Sequence, residues 1–303
     1  MNTRHSSVSV IIPVRNRPKV IHRAIDSALA QSYPVTEIVV VDDGSSDATP
    51  DSVEARRDPV PVRIIRIPTS QGAPSARNEG AAMATGELLA FLDSDDAWEA
   101  DKIAQQVALL NTMPGSPAVF TNIRRIRGGV IGERTTVPGW VEACDLYRDN
   151  ILGGCSTATI RRDAFERVGG FRLGLPSCQD WDLWLRLADL GPLGCCEAPL
   201  TRYYFDGTDR ISSDPTRVLA GHKVVMDDIY RRVPPHEAER LARQHGHYLA
   251  EVAFFSLNND RLGRELAWRA LRRPADARSF ARAVKLLLLY HPITQRLRRN
   301  ARI

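Results

Sequence analysis

The chain has 303 residues, of which 43% are hydrophobic and 25% charged, and its formal net charge is +5, carried mostly by arginine. This composition is typical of an ordinary soluble globular protein with one large domain or one domain and an appendage, and the mild positive charge suits an anionic partner without specifying one. The five cysteines lack C-x-x-C spacing, so structural zinc and a disulfide scaffold are unexpected. The first seven residues lack an apolar stretch, so a signal peptide is unexpected. The longest apolar stretch near the C-terminus, 286–290, is too short to span a bilayer, so a transmembrane segment is unexpected as well.

Strand-like and helix-like segments alternate from the N-terminus to Leu92. Short β-branched runs predict strands, and apolar residues at helical spacing predict helices. In chain order the prediction is a strand at 8–12, a helix at 20–29, a strand at 38–41, a helix at 47–57, a strand at 62–67, a helix at 74–84 and a strand at 88–92. This alternation predicts a mostly parallel sheet with helices on both faces, in which ligands bind at the carboxyl ends of the strands.

An acidic turn, Asp93–Asp96, directly follows the last of these strands. Carboxylates two residues apart at the carboxyl end of a strand can hold Mg²⁺ or Mn²⁺, which take oxygen ligands and are completed by phosphate oxygens of a bound nucleotide. The turn therefore indicates a metal-bound nucleotide diphosphate as the leading ligand. Taken alone, such a turn is more often a set of aspartates that cap the next helix.

Two further turns follow predicted strands, and their positions place them on the same edge of the sheet. The turn 13–16 follows the first strand, and the turn 42–45 follows the second. The two adjacent aspartates of the second turn can accept hydrogen bonds from a base N–H or a ribose hydroxyl, and Gly44 lets the backbone approach a ligand closely. A turn followed by a helix N-cap explains part of this motif, but it does not explain two acids before the glycine.

The segment 72–80 contains a helix start at Pro74 and an arginine, Arg77, one turn further on. A planar guanidinium at this position can reach a base carbonyl or a phosphate. An isolated arginine on a helix is usually only a solvated charge. This motif is therefore informative only together with the three turns described above.

The four segments V-S-V-I-I-P-V-R-N-R, V-D-D-G-S-S-D, G-A-P-S-A-R-N and F-L-D-S-D-D, in this order and spacing, resemble the family 2 inverting glycosyltransferases with the GT-A fold. The resemblance covers about Val8 to Ser212, and the joint occurrence is far more specific than any single motif. It implies an α/β fold that is Rossmann-like, with a mostly parallel mixed sheet and helices on both faces. It also implies transfer of a sugar from a nucleotide diphosphosugar, most often a uridine one, to an acceptor hydroxyl.

The resemblance assigns roles to individual residues. Those expected to bind the nucleotide sugar are Pro13, Val14, Arg15, Asn16, Asp42, Asp43, Gly44, Arg77, Asp93 and Ser94. Asp95 is the expected metal-binding carboxylate, with Mg²⁺ or Mn²⁺ as the cofactor. Independently of the resemblance, the chemistry asks for an electrophile at the departing diphosphate, and a divalent cation supplies it without a proton.

Inversion also requires a base on the opposite face of the sugar, to take the proton of the attacking acceptor hydroxyl. In the family a Glu-Asp pair opens a helix at this point, so the resemblance points to Asp180 as the catalytic base. Gln179 replaces the usual Glu here, a departure that leaves the proton acceptor intact. Asp182 is the less favoured alternative, and a purely structural Asp180 in the first turn of an amphipathic helix is the other.

The identity of any metal ligand other than Asp95 stays open. Many family members carry a His after the aromatic segment that corresponds to 202–206, but this chain has none there, so Asp206, Asp209 or water remains as the candidate ligand. Arg210 and Ser212 match a closing polar pair of the family, for which a diphosphate contact and a solvent-facing loop are both open.

The segment 112–177 shapes the acceptor site in the family, and strand–helix regularity weakens there. Trp140 or Tyr147 can stack on a sugar ring, although burial is the commoner fate of such aromatic residues. The turn 169–172 resembles the family's G-G-F-D/R turn and has an expected structural role.

From Pro215 onward the sequence has helical periodicity, with predicted helices at 218–232, 237–257, 261–272 and 277–290. The last two are predicted to pair as an αα-hairpin. The arginine-rich tail 296–302 suits peripheral contact with an anionic membrane, and a merely solvated tail is the alternative. The predicted domains are 1–213, with a nucleotide-sugar half at about 8–98 and an acceptor half at about 99–213, and a helical region at 214–303.

Two other function classes compete with a transferase. A dinucleotide-dependent oxidoreductase would carry G-x-G-x-x-G after the first strand, and this chain has no glycine there. A catalytically silent nucleotide-sugar-binding or assembly module remains the alternative, although such a module would lose Asp95 or Asp180. The sequence thus predicts a bacterial, metal-dependent, inverting hexosyltransferase. We expect it in the cytoplasm or on the inner face of the cell membrane, acting in polysaccharide or glycolipid synthesis on a saccharide or lipid-linked acceptor, with no nucleic acid partner.

Overall fold

The computed structural model describes residues 6–134, 137–204 and 214–251, together with the single positions 265, 267, 268, 271 and 284. It divides into two compact units, Met1–Gly174 with Gln179–Gly207, and Leu175–Cys178 with Thr208–Ile303. The predicted helical hairpin at 261–290 and the basic tail lie outside the residues that can be described. The predicted domain boundary at residue 213 stays a prediction.

The strands of the first unit are β1 (Val8–Val14), β2 (Glu37–Asp43), β3 (Val62–Ile67), β4 (Leu88–Phe91), β5 (Ala97–Trp98), β6 (Ala118–Arg127), β7 (Val130–Arg134), β8 (Trp140–Val141), β9 (Thr159–Arg161) and β10 (Leu193–Tyr204). Its helices are α1 (Ile21–Leu29), α2 (Thr49–Glu54), α3 (Ala73–Met83), α4 (Lys102–Thr112), α5 (Arg162–Arg167) and α6 (Gln179–Ala188). Short 3₁₀ turns lie at Ala143–Leu146 and Cys155–Thr157.

Strands β3, β2, β1 and β4 are neighbours in that order, and all of them are parallel. Strands β1 and β2 are buried at every position, as their β-branched sequences predict for strands covered on both faces. The parallel pairing continues to Val14↔Asp42 and Asp43↔Ile67. Both strands therefore run further than predicted, and Pro13, Val14, Asp42 and Asp43 end strands rather than lying in the turns that follow.

The other half of the sheet is mixed. Strand β9 is antiparallel to both β4 and β6, and β6 is parallel to β10. Strand β6 therefore runs in the same direction as β1, β2 and β4, and the carboxyl ends of these strands meet at one edge of the sheet. Strand β5 closes the far side of the sheet against β10, while β7 forms a hairpin with β6.

The helices pack on both faces of the sheet. On one face, α1 and α4 contribute buried residues to a core that includes alternate positions of β1, with Ile25 and Ile103 fully buried. Burial of each such side chain contributes about 1.5–3 kcal/mol before entropy is counted. On the other face α3 lies very close to the sheet, since a Cβ atom at Gly80 would be 2.6 Å from Ile11 Cγ2 and 3.0 Å from Val41 Cγ2.

The second unit contains α7 (Pro215–Arg232) and α8 (Pro235–Glu251). The side chain of Asp214 caps α7 by accepting hydrogen bonds from two backbone N–H groups of its first turn. The two helices contact each other, and the hydroxyl of Tyr230 lies 2.8 Å from Nδ1 of His245. In the described part of the chain, no helix combines the length and the apolar character that a bilayer crossing requires.

Candidate functional site

The loops that follow β1 and β2 are hydrogen-bonded to each other at the edge of the sheet where the carboxyl ends of β1, β2, β4 and β6 meet. Asn16 has a positive φ of 51°, its backbone N–H donates to Ser45 Oγ at 2.9 Å, and its side-chain Oδ1 accepts from the N–H of Ser46 at 2.9 Å. The backbone N–H of Arg17 donates to Thr49 Oγ1 at 2.8 Å. The predicted convergence of these two motifs is therefore present, with Asn16 as the residue that joins them.

The carboxylate of Asp43 holds the loop between β3 and α3. One oxygen accepts from the N–H of Gln71 at 2.7 Å, and the other accepts from the hydroxyl of Ser70 and the N–H of Gly72. A carboxylate has about four acceptor positions, so three of those on Asp43 serve the fold. Gly44, at φ 68°, passes so close that a Cβ atom would be 2.7 Å from the Ser70 nitrogen. Asp42 is buried and makes only long contacts of 3.3–3.4 Å with the N–H of Ser45.

Helix α3 brings Arg77 to the acidic turn. Arg77 is buried, and its Nη2 donates to Asp93 Oδ1 at 2.5 Å. The next residue, Asn78, binds both backbone groups of Phe171, with two hydrogen bonds of 2.8 Å. The ring of Phe171 in turn faces the Arg77 guanidinium, with 5.4 Å between the guanidinium carbon and the ring centroid. The turn 169–172 thus has the structural role that the sequence predicts.

The acidic turn is supported by Ser156, which the sequence analysis did not single out. Ser156 Oγ accepts from the N–H of Asp93 at 3.0 Å and donates to Asp96 Oδ2 at 2.6 Å. The carbonyl of Ser156 accepts from Trp98 Nε1 at 2.8 Å. No local sequence signal marks this serine, because its partners lie far away in the chain.

Asp95, the expected metal ligand, already forms an ion pair. Its Oδ2 lies 2.6 Å from Arg17 Nη1, and its backbone carbonyl accepts from Arg23 Nη2 at 2.5 Å. Among the described residues there is no group of three or more His, Cys, Asp or Glu side chains that could hold a metal ion. The carboxylates of Asp93 and Asp95 nevertheless fit Mg²⁺ or Mn²⁺, since these hard ions need only one or two protein carboxylates when water and diphosphate oxygens complete the shell.

Asp180 lies in the first turn of α6 and is partly buried. The N–H of Trp181 donates to Asp180 Oδ1 at 2.7 Å, and a Cβ atom at Gly154 would lie 3.9 Å from Oδ2. Burial, which disfavours the charged form, is the main cause that raises the pKa of Asp180 to about 6, and the negative charge of Asp93 adds to it. The hydrogen bond from Trp181 and the positive charge of Arg77 oppose the rise. A carboxylate with a pKa near neutral suits a general base.

The thiol of Cys155 belongs to the same group of interacting charges and was also missed by the sequence analysis. Burial raises the pKa of the Cys155 thiol well above its usual value, although the charge of Arg77 acts in the opposite direction. The thiol therefore stays protonated, and it contributes a small apolar surface beside Asp93 and Asp180 rather than a nucleophile.

Asp182, the alternative base, is engaged in the fold. It is 3% exposed, one of its oxygens accepts from Arg186 Nε and Nη2 at 3.0 and 2.6 Å, and the other lies 3.1 Å from Arg172 Nη2. Arg186 also donates to the carbonyls of Val168 and Gly170, so this network fixes the glycine turn to α6. Both carboxylate oxygens of Asp182 are thus engaged by arginines of the fold, which favours Asp180 as the base.

The remaining residues that the sequence singled out differ in their exposure to solvent. Arg15 is exposed in the loop after β1, and Ser94 is buried in the acidic turn. Trp140 is 66% exposed, contrary to the usual burial of tryptophan, and it lies at the start of β8. The expected sites at 206, 209, 210 and 212 lie outside the described residues.

A sequence model of the family described as "Glycosyl transferase family 2" matches residues 9–169, just over half of the chain. The chain belongs to glycosyl transferase family 2. The match includes all four motifs that carried the resemblance, which confirms the predicted family. It ends before Asp180, so it does not test the role of that residue.

Two relatives of this family 2 chain come from bacteria. An uncharacterized glycosyltransferase of Rickettsia conorii is 30% identical over 230 residues, which cover 70% of this chain and 37% of that protein. The chain thus spans little more than a third of that relative. A protein of Escherichia coli named UDP-Glc:alpha-D-GlcNAc-diphosphoundecaprenol beta-1,3-glucosyltransferase WfgD is 29% identical over 185 residues, which cover 59% of this chain and 69% of WfgD.

Solved structures share the fold. Staphylococcus aureus TarS, crystallised in complex with UDP-GlcNAc, has a TM-score of 0.67 at 18% identity, and the alignment covers 94% of this chain and 91% of that chain. The mannosyltransferase PcManGT of Pyrobaculum calidifontis, in complex with GDP-Man and Mn²⁺, has a TM-score of 0.61 at 22% identity, with 97% and 84% covered. These similarities confirm the predicted GT-A fold.

Proposed function

We propose that this family 2 chain is a metal-dependent inverting glycosyltransferase, which transfers a sugar from a nucleotide diphosphosugar to an acceptor hydroxyl. The observation that carries the proposal is the position of Asp180, whose carboxyl group interacts electrostatically with Arg77 and Asp93 and has a pKa raised to about 6. Carboxyl groups from two distant segments of the chain, the acidic turn and the start of α6, thus act on one another. An inverting transfer needs a proton acceptor beside the donor-binding turn, and this arrangement supports Asp180 in that role.

In the proposed reaction Asp180 Oδ2 takes the proton of the acceptor hydroxyl while the hydroxyl oxygen attacks the anomeric carbon. The bond between that carbon and the diphosphate oxygen breaks on the opposite face, and the configuration inverts. A cation held by Asp95, when bound, supplies positive charge to the departing diphosphate. Arg77 orients the acidic turn through Asp93, and the loops fixed by Asn16 and Asp43 surround the base and ribose.

The donor and acceptor classes follow by analogy with the relatives. TarS was crystallised with UDP-GlcNAc, and the name of WfgD specifies a UDP-Glc donor and a diphosphoundecaprenol-linked acceptor. For this chain we propose a UDP-sugar donor and a saccharide or lipid-linked acceptor in the synthesis of a cell-surface polysaccharide or glycolipid. Such an acceptor suits an enzyme in the cytoplasm or on the inner face of the cell membrane, with the basic tail as one means of contact.

The decisive experiment is the Asp180→Asn variant. Loss of a general base lowers the transfer rate by about 10²–10⁴-fold. We expect that loss with UDP and Mn²⁺ binding retained, as measured by calorimetric titration. Asp163→Asn is a matched control, because Asp163 also lies in the first turn of a helix and accepts the N–H of the next residue, at 2.8 Å, but is exposed.

The outcomes separate the two function classes. Transfer lost only in Asp180→Asn supports the base role. Full transfer in Asp180→Asn removes Asp180 from that role. A wild-type protein that binds UDP and Mn²⁺ but transfers and hydrolyses no nucleotide sugar would indicate a silent binding module.

A further inference from the structure

The ion pair between Arg17 and Asp95 connects the nucleotide-binding side of the site to its metal-binding side. Arg17 follows the turn after β1, and its backbone is fixed by the hydrogen bond to Thr49, whose hydroxyl and N–H both donate to Asp47 Oδ1. Its side chain reaches the acidic turn, where Nη1 lies 2.6 Å from Asp95 Oδ2. The guanidinium therefore links the segment after β1, which is expected to bind the nucleotide, to the expected metal-binding carboxylate.

This pair differs from the Arg77–Asp93 pair of the same acidic turn. The difference lies in the arginines: the Arg77 side chain is 8% exposed and the Arg17 side chain 22%, while their partners Asp93 and Asp95 are 26% and 21% exposed. A partly solvated ion pair is worth little, about 0.2–1 kcal/mol, so it can be exchanged for other partners at a low cost. Arg17 can therefore leave Asp95, while Arg77 is held in place.

The backbone of Asp95 is held independently of its side chain. Arg23 donates to the Asp95 carbonyl, and its guanidinium lies 3.5 Å from the centroid of the Tyr204 ring. The acidic turn is also supported by Ser156. Exchange of Arg17 for another cation at Asp95 Oδ2 therefore needs no movement of the turn.

We propose that Arg17 is a diphosphate-binding residue that neutralises Asp95 until the cation and the nucleotide diphosphate enter together. The inference rests on the proposed function. A divalent cation on Asp95 repels the guanidinium, and the diphosphate that arrives with the cation offers phosphate oxygens that suit the planar fork of arginine. Each charged group keeps an oppositely charged partner in this exchange. Asp95 loses Arg17 and gains the cation, and Arg17 loses Asp95 and gains the diphosphate.

The exchange couples the two ligands thermodynamically. Without the diphosphate, a cation must displace Arg17 with no compensation, so the cation alone binds weakly. With the diphosphate present, the displaced guanidinium gains a new partner. Each ligand therefore strengthens the binding of the other by the same factor, as linkage requires.

The test compares Arg17→Gln with the wild-type protein. We expect the variant to bind Mn²⁺ alone about 1.4–5-fold more tightly, because the competing ion pair is gone. We expect it to bind UDP about tenfold more weakly at saturating Mn²⁺, because a charge-assisted hydrogen bond is lost. The electron paramagnetic resonance signal of free Mn²⁺ measures the first affinity, and calorimetric titration with UDP measures the second.

Arg66→Gln is the matched control. Arg66 is also an arginine paired with acidic side chains, Asp51 and Glu54, and it is about half exposed on β3. It should change neither affinity. Thermal unfolding of both variants verifies that the fold is retained, and Arg17→Lys, which keeps the charge but loses the fork, should bind UDP with an intermediate affinity.

The exchange is supported if Arg17→Gln binds Mn²⁺ more tightly and UDP more weakly than the wild-type protein. Mn²⁺ binding that is unchanged or weakened overturns it and leaves Arg17 a structural residue. Equal loss of UDP binding with and without Mn²⁺ also overturns it, because the two ligands are then not coupled through Arg17. If wild-type protein binds neither Mn²⁺ nor UDP, the proposed function itself fails.

Discussion

The raised pKa of Asp180 predicts that the protein loses stability as the pH rises, and that Asp180→Asn removes this loss. The folded-state value of about 6 lies above the unfolded value of 3.8. Between these two values the folded state keeps a proton that the unfolded state has released, so stability falls from about pH 4 to about pH 6 and is constant above. Asparagine is neutral, has nearly the same shape and can still accept the N–H of Trp181.

The size of the effect follows from the same two values. Their difference corresponds to about 3 kcal/mol above pH 6, at 1.36 kcal/mol for each pH unit. Because the side chain is only partly buried, screening by solvent reduces the expected gain to about 1–3 kcal/mol. We therefore expect Asp180→Asn to match the wild-type protein near pH 4 and to exceed its free energy of unfolding by this amount at pH 7–8.

Urea unfolding at several pH values between 4.5 and 8 measures the difference directly. The exposed Asp163→Asn variant should follow the wild-type curve at each pH. The reasoning is refuted if the advantage of Asp180→Asn does not depend on pH, or if the variant is less stable than the wild type above pH 6. Either result would mean that the folded protein does not disfavour the Asp180 carboxylate.

Three further predictions address rate and packing. Transfer by the wild-type enzyme, measured as kcat/KM, should rise tenfold per pH unit below about pH 6 and level off above it, since Asp180 must be deprotonated; a rate that falls over this range would contradict the base role. Asn78→Ala should lower the free energy of unfolding by about 2–3 kcal/mol, because both backbone groups of Phe171 lose their partner; a loss under 0.5 kcal/mol would show that water replaces the amide. Gly80→Ala should cost about 1–3 kcal/mol in urea unfolding, because its Cβ atom would overlap Ile11, and a stabilised variant would disprove the close packing of α3.

The first half of the fold was predictable because its signals are local. Strand β3 has the predicted bounds, 62–67, and α1 begins within one residue of its prediction. Helix α2 is shorter than predicted at both ends. At its start Asp47 binds Thr49 instead of joining the helix, and at its end Arg56 pairs with Asp58 and Asp26.

The second half was less predictable because its strands depend on distant partners. Strand β9 has three residues and exists only because β4 and β6 lie on either side of it. Strand β10 pairs with β6 through an irregularity between Cys196 and Thr201, which breaks the alternation that marks a strand in sequence.

The candidate site also combines residues with local sequence signals and partners that are distant in the chain. The motifs identified Asp43 at the end of β2, Arg77 in α3 and Asp93 in the acidic turn after β4. The partners that decide their chemistry are remote, as with Arg17 at Asp95 and Ser156 at Asp93. Sequence spacing identifies the carboxylates, but the groups that pair with them, such as Arg77 at Asp93 and Arg17 at Asp95, follow from the packing of the sheet.

The position of Ser156 limits how the enzyme can be recombined with its relatives. A chimera that takes residues 8–98 from another family member would import a foreign acidic turn but retain the native serine turn, which binds the N–H of Asp93 and the indole of Trp98. For the proposed transferase, donor preference would therefore be transplanted intact only when the segment around residue 156 is exchanged together with the N-terminal half.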